Sequence, residues 1–106
     1  MVQFEDFLKL DLRVAKVLEV ENHPDADKLY LLKVDIGDRV IQLVAGIKAF
    51  YSPEEILDKR IIVIVNLEPR KIRGVESQGM LLAAKDLQRL SLVTLDREVD
   101  LGSKVG

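Results

Sequence analysis

The 106-residue chain is 48% hydrophobic and 32% charged, which excludes a disordered polar tail and suffices for one folded core. Its 16 basic and 18 acidic residues give a formal net charge of −2, so any affinity for a polyanion has to come from a local patch rather than from long-range steering. Without cysteine, disulfides, thiol catalysis and cysteine zinc sites are excluded, and with no basic-then-apolar leader or bilayer-length apolar run the expectation is one soluble, cytoplasmic domain over residues 1–106 that engages no membrane.

Residues 3–9 place Phe4, Phe7 and Leu8 at helical spacing. Segment 12–21, LRVAKVLEVE, puts Leu12, Val14, Leu18 and Val20 on one parity, the period-2 signature of a half-buried strand, with Lys16 as the exception. Segment 29–36 alternates Tyr30, Leu32, Val34 and Ile36 on one face, and the Gly37-Asp38 turn returns the chain through VIQLVAGI, which predicts a hairpin. Ser52-Pro53-Glu54-Glu55 then reads as a helix start, with Ser52 as cap, Pro53 at the first helical position and Glu55 closing a capping box. The unalternating run Ile61–Val65 fits a strand that is buried on both sides or closes a barrel. Residues 66–79, NLEPRKIRGVESQG, read as a loop broken by Pro69, Gly74 and Gly79, before Met80–Ala84 resumes strand character. Residues 90–106 read as short strands and turns that, with the N-terminal segment, are extra to the core.

Strand, strand, strand, helix, strand, strand is the order of the five-stranded Greek-key barrel called the OB-fold, a mainly β class, here with short helices and terminal extensions. Such barrels bind across strands 2 and 3 and between the loops joining strands 1–2 and 4–5. Those loops correspond to ENHPDADK (21–28) and LEPRKIRGVESQG (67–79). In the second, Arg70 and Arg73 offer planar forks for phosphate oxygens, Lys71 adds a point charge, Ser77 and Gln78 add neutral hydrogen bonds, and Gly74 and Gly79 permit close backbone approach. In the first, His23 has no second histidine or cysteine to complete a zinc set, and the carboxylates lack calcium-loop spacing, so a turn around Pro24 is preferred to a metal site, with those carboxylates orienting Lys28 or nearby backbone. His23 is also the only imidazole, and no spacing singles out a carboxylate pair, so catalysis is not expected and no cofactor is implied. The aromatics Phe4, Phe7, Tyr30, Phe50 and Tyr51 do not interleave with the basic loop, which favours a structured RNA held by backbone and shape over a stacked single strand.

Five stretches in register, HPDADKL (23–29), VAGI (44–47), YSPEEILDK (51–59), NLEPRK (66–71) and RGVESQGM (73–80), resemble the tRNA-binding OB domain. That domain is found free-standing, as the C-terminal or β-subunit-like part of methionyl-tRNA synthetase, and in EMAP-II-type cytokine precursors. The resemblance implies tRNA binding without catalysis, with Asn66, Arg70, Lys71, Arg73, Ser77 and Met80 at the matching contact positions and Lys28 and Lys33 as supplementary cations. It also implies a homodimer built through segments flanking the barrel, with methionyl-tRNA synthetase as a partner. A chaperone-like or protein-docking module is the alternative. Leu90, Leu92, Val93, Leu95, Val99 and Leu101 fit either a dimer interface or the chain's own core, and Met80 fits either an RNA contact or core packing. Glu68 stands where the family commonly has a basic residue, and Ala45 where it often has serine.

Overall fold

A computed structural model describes residues 1–106, and its longest strand organises the rest. β1 (Leu12–Asn22) pairs antiparallel with β4 (Arg60–Ile64) through its first half and with β2 (Tyr30–Asp35) mainly through its second. The register shifts between Val17 and Glu19, a bulge that inserts one residue and bends the strand around the barrel. The expected single apolar parity is therefore corrected. Leu12 and Val14 join Ile62 and Ile64 in a smaller cluster, Ala15 and Val17 enter the main core, and Leu18 lies exposed at the bulge.

β2 and β3 (Val40–Ala45) form the predicted hairpin, paired from Tyr30↔Ala45 to Asp35↔Val40. Tyr30, Leu32 and Val34 stand beside Ala45, Leu43 and Ile41 on the face that turns into the main core. The turn needs glycine on two counts: Gly37 has φ +103°, and a Cβ there would stand 2.7 Å from the Gly102 Cα. α2 (Pro53–Ile56) is capped as its sequence predicts, the Glu55 carboxylate accepting from the Ser52 N–H at 2.8 Å and the Ser52 hydroxyl at 3.1 Å. Its Ile56 is fully buried in the main core, a placement that contributes about 1.5–3 kcal/mol. β4 is buried on both sides as expected: Ile61 and Val63 point into the main core, and Ile62 and Ile64 into the smaller cluster.

The stretch after β4 is not the loop its proline and glycines suggest. β5 (Arg70–Ile72) and β6 (Val75–Ser77) form a tight hairpin whose two turn residues, Arg73 and Gly74, have φ of 52° and 86°. Positive φ at both central positions matches the twist of the flanking strands. The apolar run that follows divides at Leu82: β7 (Met80–Leu81) pairs with β4, whereas β8 (Ala83–Lys85) pairs with β9 (Leu90–Leu92).

The C-terminal flank is part of the fold rather than an addition to it. β10 (Lys104–Val105) pairs with the start of β1, Leu92 is buried in the main core with Leu90 packed on it, and Leu95 and Leu101 cover the smaller cluster. Of that apolar set only Val93 and Val99 stay exposed. α1 (Phe4–Leu8) has no buried residue.

The main sheet runs β3-β2-β1-β4-β7 with β10 beside β1. Its two ends meet where the hairpin reaches β3: the Gln78 N–H donates to the Gln42 carbonyl and the Gln42 N–H to Gln78 Oε1, each at 2.8 Å. Alongside them, the Val44 N–H donates to Ser77 Oγ at 3.0 Å and Gln42 Nε2 to the Glu76 carbonyl at 2.9 Å. This mainly β, nearly closed barrel with small helices is the OB-like architecture its element order predicts.

Candidate nucleic-acid interface

Strand alternation decides where the hairpin's cations point. Arg70 and Ile72 share one face of β5, whereas Lys71 lies on the other, opposite Glu76 on β6. The three cations are therefore spread over the hairpin rather than presented as one row. Arg70 and Ile72 line a groove of about 420 Å³ together with Val44, Leu67, Glu68, Ser77, Gly79 and Met80. Arg73, at the turn, lines a second depression of about 440 Å³ with Asp25, Asp27, Lys28 and Leu29.

The first loop holds the second. His23 is 5% exposed; its Nδ1 accepts from the Asp25 N–H at 3.0 Å, which leaves Nε2 to donate to the Ile72 carbonyl at 3.0 Å. Arg73 completes the clasp by donating to the Asp25 carbonyl at 3.1 Å. Both ring nitrogens of His23 are thus engaged by backbone, leaving no lone pair for a metal. The loop's carboxylates do not pair with Lys28, so its order comes from His23 and the turn at Pro24 rather than from an ion pair.

The residues singled out in the sequence have different jobs. Ser77 is 4% exposed, its hydroxyl accepting from the Val44 N–H and donating to the Gly79 carbonyl at 3.0 Å, so it fastens the hairpin to β3. Asn66 ties the hairpin's root to the N-terminal segment, accepting from the Asp11 N–H at 2.8 Å and donating to the Lys9 carbonyl at 2.7 Å. Gly79 does not open the backbone to a ligand, because a Cβ there would stand 2.6 Å from the Ile64 carbonyl oxygen and press on Ile41 and Leu43. Gly74, by contrast, faces open space. Met80 is 46% exposed and lines the groove, so it is not core filler. Lys33 lies exposed on the outward side of β2, paired in register with Gln42 of β3.

Among the arginines, charge pairing separates the hairpin from the rest of the surface. Arg13, Arg39, Arg60, Arg89 and Arg97 each pair with a carboxylate. Arg13 is held further above its usual pKa, chiefly by its hydrogen bond to Asp11. Arg70 and Arg73 are the arginines without a carboxylate partner; among the lysines Lys28, Lys33 and Lys71 lack one, as do Lys48, Lys59, Lys85 and Lys104 elsewhere on the surface. Sequence reasoning missed the apolar lining of Val44, Leu67 and Ile72 and the clasp at His23. The alternation Arg70-Lys71-Ile72 was the one signal that could have revealed a hairpin face.

A nearly closed barrel built on a six-stranded sheet, with two arginines that lack carboxylate partners on the hairpin beside β3, is an OB-like module. The chain belongs to the family described as "Putative tRNA binding domain", whose model matches residues 12–104. It is 62% identical over 104 residues to a methionine–tRNA ligase of Pyrococcus horikoshii, covering 98% of this chain and 14% of the relative. A methionine–tRNA ligase of Thermotoga maritima is 51% identical over 104 residues, covering 98% and 16%. The chain thus spans a small part of these curated relatives, the part that matches a binding rather than a catalytic domain. Among solved structures, a MetRS related protein from Pyrococcus horikoshii superposes with TM-score 0.93 at 36% identity, covering 100% of this chain and 98% of that one. The CsaA chaperone protein from Picrophilus torridus superposes with TM-score 0.92 at 32% identity, covering 100% of both.

Proposed function

We propose that residues 1–106 act as a single tRNA-binding domain that contributes affinity rather than chemistry, working as a cytoplasmic homodimer that presents tRNA to methionyl-tRNA synthetase. The observation that carries this reading is the selective absence of carboxylate partners at Arg70 and Arg73, while every other arginine has one. Arg70, Lys71 and Arg73 then bind phosphates from different sides of the hairpin, Lys28 and Lys33 extend the positive surface, and Met80 supplies apolar contact. Asn66 and Ser77 serve that surface by fixing the hairpin's root and edge. Backbone contacts of this kind select a folded shape and carry little base identity.

Dimerisation is supported by the apolar side chains of α1, where Phe4 is 69% and Leu8 57% exposed with no cover in one protomer. A two-fold pair would duplicate the basic hairpin and widen the footprint on one RNA. Gel shifts with folded and heat-denatured tRNA test the reading: the folded form should bind more tightly, and equal binding of both would reject shape selection.

A chaperone-like role is the second reading, favoured by the likeness to the CsaA chaperone protein and by the apolar lining of the groove. Competition separates the two. An unfolded polypeptide that displaces tRNA poorly supports the first, and one that binds while tRNA does not supports the second.

A further inference from the structure

The groove beside the hairpin has features that phosphate binding does not use. Val44, Ile72, Leu67 and Met80 give it apolar walls, and Leu67 and Met80 remain 39% and 46% exposed. Within the same lining stand one carboxylate, Glu68, and one guanidinium, Arg70, and neither has a side-chain hydrogen bond or ion-pair partner. An unpaired carboxylate is a poor feature for a surface that grips only phosphates, since it repels them. It is a good one for a ligand that offers donors. Pro69 follows it and biases the Glu68 backbone toward the extended region.

Apolar walls for a flat ring, a cation for a phosphate and a two-oxygen acceptor for paired N–H groups together describe a nucleotide whose base carries adjacent donors. We infer that this groove is a subsite for one unpaired guanine of the bound RNA. Its N1–H and exocyclic N2–H donate in parallel to Glu68, its ring lies against Met80 and Leu67, and its phosphate meets Arg70. A bidentate, charge-assisted pair of this type is both stronger and more selective than a single hydrogen bond. Uracil offers one donor flanked by two carbonyls, and hypoxanthine lacks the exocyclic amine. The volume of about 420 Å³ falls within the range of small-molecule sites. The inference rests on the tRNA-binding reading and adds base preference to a surface otherwise blind to sequence.

The chain has two methionines, Met1 and Met80, so carbon-13 labelling of the methionine methyl groups gives one probe in the groove and one control outside it. Titration with GMP should move the Met80 signal and leave Met1 in place, with IMP and UMP binding about fivefold or more weakly. In Glu68→Gln, an exposed position whose change leaves the fold intact, GMP and IMP should bind within twofold of each other. A Met80 signal indifferent to GMP, or equal affinity for GMP and IMP in the unaltered protein, overturns the subsite. Movement by an apolar tetrapeptide but by no nucleotide overturns it as well and assigns the groove to polypeptide. A parallel gel shift with tRNA keeps the two claims apart: tRNA binding with a silent Met80 removes the subsite alone, and a GMP response without a tRNA shift removes the tRNA reading alone.

Discussion

At Arg73 two demands compete. Its φ of 52° lies in the left-handed region, which costs a residue with a side chain about 1–2 kcal/mol, yet its guanidinium bonds the Asp25 carbonyl and carries charge at the hairpin tip. Asparagine tolerates that conformation far better. Arg73→Asn should therefore hold unfolding free energy within about 1 kcal/mol of the unaltered protein while lowering the slope of log affinity for tRNA against log salt by about one. Urea denaturation beside a salt series measures both, and a large stability loss with unchanged RNA binding would contradict the assignment. Ser77 makes the opposite case. Its buried hydroxyl pairs with Val44 and Gly79, so Ser77→Ala should cost about 1–3 kcal/mol of stability, measured by the same denaturation. Nothing in the sequence distinguishes Ser77 from a ligand-binding serine, because burial depends on β3 lying alongside, 33 residues earlier.

At the scale of elements, the basic hairpin stands on its clasp to the first loop. His23→Ala would leave the Ile72 carbonyl and Asp25 N–H without their partners. Amide exchange in 70–77 should then accelerate by more than tenfold, and trypsin should cut after Arg70, Lys71 or Arg73 faster than in the unaltered protein. Unchanged exchange would mean that the β3 contacts alone hold the hairpin. The helix cap gives a pH signature. Bonds from the Ser52 backbone N–H and hydroxyl hold the Glu55 carboxyl below its ordinary pKa. A depressed folded pKa means that the cap's stabilisation is complete above the ordinary carboxylate range and is lost as pH falls through the lowered folded value. Glu55→Gln should flatten that part of the stability curve, followed by melting temperature between neutral and acid pH. The cap was legible because all its determinants lie within four consecutive residues. The hairpin was not, since Arg73-Gly74 lacks the Asn-Gly signature of its turn and Pro69 and Gly79 read as breakers.

For the molecule as a whole, element order alone disclosed the barrel, since β1, β2, β3, α2 and β4 follow from periodicity and capping. Two long-range features escaped. The bulge at Val17–Glu19 moves the apolar set of β1 between two clusters, and β10 closes on the start of β1 from the far end of the chain. Neither leaves a local mark, because each depends on partners distant in sequence. The basic stretch was visible as composition, but only the strand pairing shows that Arg70 faces a groove and Arg73 a neighbouring depression.

If the domain grips tRNA as proposed, the two arginines without carboxylate partners place much of that affinity in the hairpin. Filter binding of folded tRNA across a salt series, comparing the unaltered chain with Arg70→Ala/Lys71→Ala, tests this most directly. The account predicts weaker binding to many tRNAs alike and a salt slope smaller by about two, with the melting temperature preserved. Coincident binding curves for the two proteins, at every salt concentration, would contradict it.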